Sequence, residues 1–268
     1  MLFSLARHLV LSLLGLVFFF PFLWMFLSSL KHENEIFQNT FLPHKIAFWE
    51  NYTKVLDTGL LMFLCNGALV CLAILLLQIL IAYPCAYALS KHEFIGKRVV
   101  FNLIVLCLLI PTQAVCVPWY LMMHKFGWLD SYAALILPFS ISVFGIFLIR
   151  QFINTLPTDL IYAAKMDGLS EWSIIWRIIF PLTLPAFVSF GIFSVVAHWN
   201  DYFWPLIAVS SPQYFTPTLG IVGFRNNEAG IQYALLMAAA CIVILPLIVG
   251  FLLAQKRFIQ GVAHTGIK

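Results

Sequence analysis

Ser28 and Lys31 stand three residues apart, the spacing at which a lysine can serve a serine nucleophile as base. The pair closes an apolar run with no further support, since neither H-E-x-x-H nor G-x-S-x-G occurs. Phosphate chemistry has no better footing: Gly96-Lys97 lacks the upstream glycine of a nucleotide-binding loop. Cys65, Cys71, Cys85, Cys107, Cys116 and Cys241 include no C-x-x-C pair and read as small buried apolar residues. His198 has no second histidine at ligand spacing, so it reads as a hydrogen-bonded packing residue, and no metal site is expected. The residue types that remain serve contact, not covalent chemistry. They concentrate in Thr158 to Pro185, TDLIYAAKMDGLSEWSIIWRIIFPLTLP, which mixes paired alanines, a glycine after an acid, and two spaced prolines.

The elements that must position this stretch belong in lipid. A chain with 62% apolar and 10% charged residues, and a mean hydropathy of +0.97, cannot be covered with polar surface in water. Six apolar runs, at 9–30, 64–89, 99–122, 132–152, 178–209 and 233–254, each reach the ~20 residues that a membrane-spanning helix needs. They lack the alternation of a transmembrane β-barrel, and helices satisfy their backbone internally, so the fold class is an all-α membrane protein with six spans in one domain, 1–268. The first run is longer than the apolar core of a secretory signal and leads into Lys31 without a small-residue cleavage pattern, so it is expected to stay as an anchor.

Charge sets the orientation. Arg7, Lys91, Lys97, Arg98, Arg150, Lys165, Arg177, Lys256, Arg257 and Lys268 fall on one side of the expected spans, and Lys31, Lys45, Lys54, Lys125 and Arg225 on the other. The two-to-one excess places both termini and the 158–177 connection in the cytoplasm of a bacterial cytoplasmic membrane. Because the cations lie between apolar runs, nucleic-acid binding is not supported. The outer connections, 31–60 with Phe48, Trp49 and Tyr52, and 210–232 with Pro212, Pro217, Gly220, Gly223 and Gly230, read as ordered loops that could meet an external partner or anchor at the interface. Pro21, Pro84, Pro111, Pro118, Pro138, Pro181, Pro185 and Pro246 fall in or at the ends of the runs and predict kinked, interrupted helices.

Within the cytoplasmic elbow, Thr158 is placed to cap a short helix with Asp159 in its first turn. Gly168 ends that helix in a left-handed conformation, and Ser170 caps the next, with Glu171 behind it. Ala163 and Ala164 leave a patch without bulk, where the backbone can sit deep in a partner's groove. Leu160, Ile161, Tyr162 and Met166 add an apolar anchor without an obvious partner in the chain.

The pattern Ala163-Ala164-x-x-Asp167-Gly168, with Ile178, Pro181 and Pro185 after it, resembles the EAA loop of permease subunits of ATP-binding-cassette importers. The carbohydrate-uptake, maltose-permease-like branch is the more specific likeness. Ser29-Leu30-Lys31, Trp49-Glu50-Asn51-Tyr52, Ala86-Tyr87-Ala88-Leu89-Ser90, Pro118-Trp119-Tyr120, Arg150-Gln151-Phe152, Trp199-Asn200-Asp201, Trp204-Pro205-Leu206 and Arg257-Phe258 with Gly261 extend it over nearly the whole chain. The resemblance implies a type I importer fold, a second permease subunit, two cytoplasmic ATPases that use ATP and Mg, and an external solute-binding protein. It also implies that this chain binds no cofactor and that Tyr162, Ala163, Ala164, Asp167 and Gly168 couple to the ATPase. Tyr162 stands where the family usually has Glu. Losing that carboxylate removes a charge-assisted contact, which tyrosine would replace by packing or through its hydroxyl while a partner permease keeps the Glu.

For a solute path or outer gate, the candidates are polar residues inside spans, which are costly unless they face the bundle interior. Asn66, Gln78, Gln113, Trp199, Asn200 and Asp201 are the leading choices, with Asn102 and His198 beside them, and helix packing by hydrogen bonds is the competing role. A straight fifth span from Ile178 would put Asn200 and Asp201 about 33 Å along it, toward the outer rim. A secondary carrier is the rival function, but no inverted repeat is visible in the sequence.

Overall fold

The computed structural model describes residues 2–38, 40–225 and 231–263, and these are helices, turns and loops without a strand. Gly230 and Lys268 of the sequence reading lie outside the described residues. The helices are α1 (Leu2–Ser29), α2 (Phe48–Asp57), α3 (Leu60–Lys91), α4 (Lys97–Cys107), α5 (Thr112–Lys125), α6 (Tyr132–Ile136) and α7 (Val143–Thr155). After these come α8 (Asp159–Met166), α9 (Glu171–Ile174), α10 (Phe180–Leu182), α11 (Leu184–Trp199), α12 (Phe203–Ala208), α13 (Pro217–Ile221) and α14 (Tyr233–Ala263).

Three stretches, Ala6–Ser29, Leu60–Lys91 and Tyr233–Gln255, are unbroken and apolar enough to cross a membrane. Three further crossings are bent pairs: α4 with α5 at 99°, Tyr132–Phe139 with α7 at 42°, and Glu171–Leu182 with α11 at 83°. Six spans result when each bent pair is one. The runs at 99–122, 132–152 and 178–209 are therefore broken, at prolines where the sequence predicts kinks. Pro111 takes an extended conformation ahead of α5, Pro138 lies in the 3-10 turn Leu137–Phe139, and Pro181 and Pro185 flank the break at Thr183. Each lacks the N–H that would continue the ladder. By contrast, Pro21, Pro84, Pro118 and Pro246 sit within helices that continue through them. Of the cysteines, Cys71 and Cys241 are buried, but Cys65 and Cys107 are exposed, so the buried reading holds only for some of them.

The chain divides into two compact units, Met1–Leu64 with Pro217–Ile248, and Cys65–Thr216 with Val249–Lys268. In the first unit the Asn51 amide donates to the carbonyls of Ser29 (2.9 Å) and Lys31 (2.8 Å), supplying partners that the end of α1 lacks. The Lys31 ammonium donates to the Thr40 carbonyl at 2.6 Å, and Ser28 is buried. Lys31 thus fastens the loop that follows α1. Glu33 accepts from the backbone N–H groups of Tyr233 and Ala234, both at 2.8 Å, and so caps α14. Gly220 admits the Phe63 ring so closely that a Cβ there would lie 2.1 Å from it.

The second unit is built on α3. Its residues Ile79, Ala82, Tyr83, Ala86 and Tyr87 recur at helical spacing and form one buried face. Against it pack Ile146, Ile149 and Ile153 of α7, Ile161 and Ala164 of α8, and Ile174, Ile175 and Ile179 beyond. The two alanines of α3 keep that face low, which lets neighbouring helices approach.

Candidate functional site: the elbow and the polar contacts of α3

Gly168 adopts φ +78°, as the sequence predicts. Its N–H reaches the Lys165 carbonyl and the Leu169 N–H reaches the Ala164 carbonyl, both at 3.0 Å, the paired closure of a helix ending on a left-handed glycine. Ser170 caps α9 by accepting from the Ser173 N–H at 3.3 Å. Thr158 departs from expectation: it lies in the helical region (φ −68°, ψ −26°) and makes no side-chain cap. A capping side chain needs an extended residue, and Thr158 has already joined the turn.

Helical periodicity sorts the elbow residues into two faces. Ile161 and Ala164, three apart, are each 3% exposed and belong to the core around α3. Ala163, Asp167 and Gly168 are exposed, as are Tyr162 at 62% and Met166 at 88%. Two sequence expectations change accordingly. Ile161 has an intrachain partner and leaves the anchor, and the alanine pair is no single patch, because Ala164 seats α8 while Ala163 faces outward. Trp172 extends the exposed apolar surface onto α9.

Two hydrogen bonds tie the elbow region to α3, one at Glu171 and one at Thr183. The Tyr87 hydroxyl donates to the Glu171 carboxylate at 2.8 Å, while Lys165 lies 2.6 Å and His92 lies 3.6 Å from the same group. The Tyr83 and Thr183 hydroxyls share a hydrogen bond at 3.1 Å, and Thr183 also donates to the Ile179 carbonyl at 2.8 Å. This places a polar fastener at the 83° break between the elbow helices and α11. The turns Ile175–Ile179 leading to it are wound as a π-helix, a local widening that often marks functional segments. The Tyr83 and Tyr87 contacts escaped the sequence reading, because a tyrosine in an apolar run signals only a polar tip needing some partner.

Toward the other end of α3, two of the expected path residues, Asn66 and Gln78, are buried and bonded within the chain. Asn66 is 4% exposed. Its amide donates to the carbonyls of Gln213 (2.9 Å) and Phe215 (3.0 Å), and its oxygen accepts from Tyr132 at 2.7 Å. Gln78, also 4% exposed, donates to the Phe139 carbonyl at 2.9 Å, accepts from Ser194 at 2.6 Å and lies 3.4 Å from His198. Both side chains bond within the chain, which favours the packing role. Trp199 is buried. Asp201 caps α12 through the N–H groups of Phe203 (3.0 Å) and Trp204 (3.3 Å). With His198 and Trp204 it borders a cavity of about 10 Å³, the space of a single water. Gln113, Asn102 and Asn200 are exposed, and the Asn200 amide donates to the Val196 carbonyl at 2.8 Å. The straight 33 Å rise toward Asn200 and Asp201 does not exist, because the helix turns by 83° near Thr183 and ends at Trp199.

At the opposite end of this unit, Asp130 accepts from the N–H groups of Ser210 and Ser211, each at 2.8 Å, and from the Ser211 hydroxyl. The Ser211 hydroxyl, then the backbone donors, hold the Asp130 carboxyl below the usual carboxylate range.

Comparison with known proteins joins this geometry to a family. The profile of binding-protein-dependent transport system inner membrane components matches residues 54–264. The arabinooligosaccharides transport system permease protein AraQ of Bacillus subtilis is 31% identical, covering 99% of this chain and 96% of the relative. The sn-glycerol-3-phosphate transport system permease protein UgpE of Yersinia pestis is 29% identical over 96% and 95% of the two chains. A solved bacterial ABC transporter involved in the import of the acidic polysaccharide alginate superposes with TM-score 0.85 over 96% of each chain, at 23% identity.

Proposed function

Because the chain belongs to the family of binding-protein-dependent transport system inner membrane components, a membrane-spanning ABC importer permease and no enzyme, we propose that it forms half of a solute path. We propose further that it receives the ATPase stroke through α8 and α9. The observation that carries the docking role is the division of α8. Its inner face, Ile161 and Ala164, is packed on α3, while Tyr162, Ala163 and Met166 present an unencumbered surface beside the Gly168 turn. A force applied to that surface reaches α3 through the core and the Tyr87–Glu171 contact.

In this reading the elbow and both termini face the cytoplasm. The contacts of Lys91 with Leu156, Arg150 with Leu89, and Lys165 with Glu171 gather cations at the elbow end of α3, which agrees with the positive-inside rule. The partners are a second, different permease, two ATPases that bind ATP and Mg, and an external binding protein. Tyr162 substitutes for the family's Glu by packing, and the second permease supplies the carboxylate. The relatives named for arabinooligosaccharides and sn-glycerol-3-phosphate support an oligosaccharide or a related polyol phosphate as solute. Gln113, Asn200 and Asp201 are the remaining path or gate candidates.

The test is uptake in proteoliposomes containing the chain, its co-purifying subunits and the binding protein. Sugar accumulation that requires ATP inside and persists when ion gradients are collapsed is the expected result. Accumulation driven by an ion gradient without ATP would overturn it.

A further inference from the structure

Beside the elbow end of α3, a cavity of about 540 Å³ opens among residues outside the elbow, Asn102 of the path candidates among them. Its wall carries Lys97, Arg98 and Arg150, with Asn102 as a neutral donor and Glu93 as the one acid. Glu93 is paired with Lys97 at 2.9 Å and also feels the charge of Arg98, so the wall carries three cations against one acid. Arg150 is held in place: its Nε donates to the Leu89 carbonyl at 3.1 Å, and its guanidinium lies 3.8 Å from the centre of the Phe101 ring. A guanidinium fixed through Nε still has four N–H donors, in the planar fork suited to phosphate oxygens. Volume and charge together describe a receptor for a phosphate group.

The surroundings select the kind of phosphate. Phe94 and Val99 line the same cavity. Val99, Val100 and Leu103 continue up α4 as exposed apolar side chains, a face that needs lipid. A ligand with a phosphate head and apolar tails satisfies the pocket and this face together, whereas a free anion satisfies only the pocket.

We propose that Lys97, Arg98, Asn102 and Arg150 bind the headgroup phosphate of an anionic phospholipid, whose chains lie along α4. Basic pockets between helices at the cytoplasmic surface are suited to such headgroups. The assignment to the cytoplasmic leaflet rests on the orientation proposed above; the pocket chemistry does not.

The experiment uses the full chain, purified in uncharged detergent with the subunits that co-elute, and short-chain phosphatidylglycerol, short-chain phosphatidylcholine and inorganic phosphate as probes. Native mass spectrometry and melting temperature are the readouts. Phosphatidylglycerol is expected to be retained and to raise the melting temperature, with phosphatidylcholine and phosphate ineffective. Arg98→Gln is expected to weaken the lipid response roughly fivefold, near the worth of one basic residue at an anionic surface, and Arg150→Gln further. Arg98 is exposed, so its variant keeps the test valid if Arg150→Gln fails to fold. An unchanged response in Arg98→Gln overturns the site; an equal response to phosphatidylcholine overturns charge selection; an equal response to phosphate overturns the lipid. Separately, Ile95→Cys, at a fully exposed position beside the pocket, placed in a chain whose six native cysteines are replaced by serine or alanine, should react with an impermeant maleimide only in inverted vesicles. Reaction in right-side-out vesicles would overturn the leaflet and orientation while the detergent assay still judges the pocket.

Discussion

At its elbow end the Cys65–Thr216 unit holds α8 by burying Ile161 and Ala164 against α3 and α7. At the Asn66 end, about 32 Å away along α3 from Tyr87, loops are held by side chains that bond to backbone: Asn66 to Gln213 and Phe215, and Asp130 to Ser210 and Ser211. The solvent explains part of the difference. In the proposed orientation the elbow meets water, where apolar burial stabilises strongly, whereas helices surrounded by lipid gain mainly from packing and hydrogen bonds. The elbow is thereby joined to the core around α3, and the far end holds its loops through a few specific bonds.

This contrast can be broken by substitution. Ile161→Ala should have the largest effect on the chain itself, about 2–5 kcal/mol for a buried isoleucine, seen as a lower melting temperature together with weaker ATPase retention. Gly168→Val should be smaller. Nothing lies within 4 Å of a Cβ there, so the cost is the left-handed backbone, about 1–2 kcal/mol. Drawn from docking, that amounts to about five- to thirtyfold in ATPase affinity, measurable by titration. Gln78→Leu removes the bonds to Phe139, Ser194 and His198 and should cost about 0.6 kcal/mol for each bond lost, lowering the melting temperature while ATPase retention stays unchanged. A large loss of ATPase binding in Gln78→Leu would erase the distinction between elbow and framework.

The smallest effect concerns pH. The carboxyl of Asp130 is lowered in the folded chain, so its contribution is complete above the unfolded value near ~3.9 and disappears as pH falls through the lower folded value. Protease cleavage within 205–215 should therefore stay constant from pH 7 to pH 5 and rise only below about pH 4. A rise between pH 7 and pH 5 would exclude Asp130 as the fastener.

Much of the elbow was legible because its signals are local. Gly168 after Asp167 and Ser170 before Glu171 encode a turn and a cap, and both formed. The facing of α8 was not legible, since two adjacent alanines give no sign of which one meets α3. The six apolar runs were visible by length, but their bends depend on whether neighbours supply partners at a proline. Pro84 leaves α3 continuous while Pro181 and Pro185 flank an 83° turn. Asn66 and Gln78 looked like path residues because a polar group in an apolar run must face something. Their partners, Gln213, Phe215, Phe139 and Ser194, lie 61 to 149 residues away, beyond any spacing rule.

Ala163→Arg tests the central claim most directly, because Ala163 points away from the core that its neighbour Ala164 enters. The measurement is co-purification of the ATPase with the membrane-inserted variant, normalised to the amount of permease. The two-faced elbow predicts a normal level of chain in the membrane with the ATPase lost and ATP-driven uptake abolished. Full ATPase retention with normal uptake would contradict it.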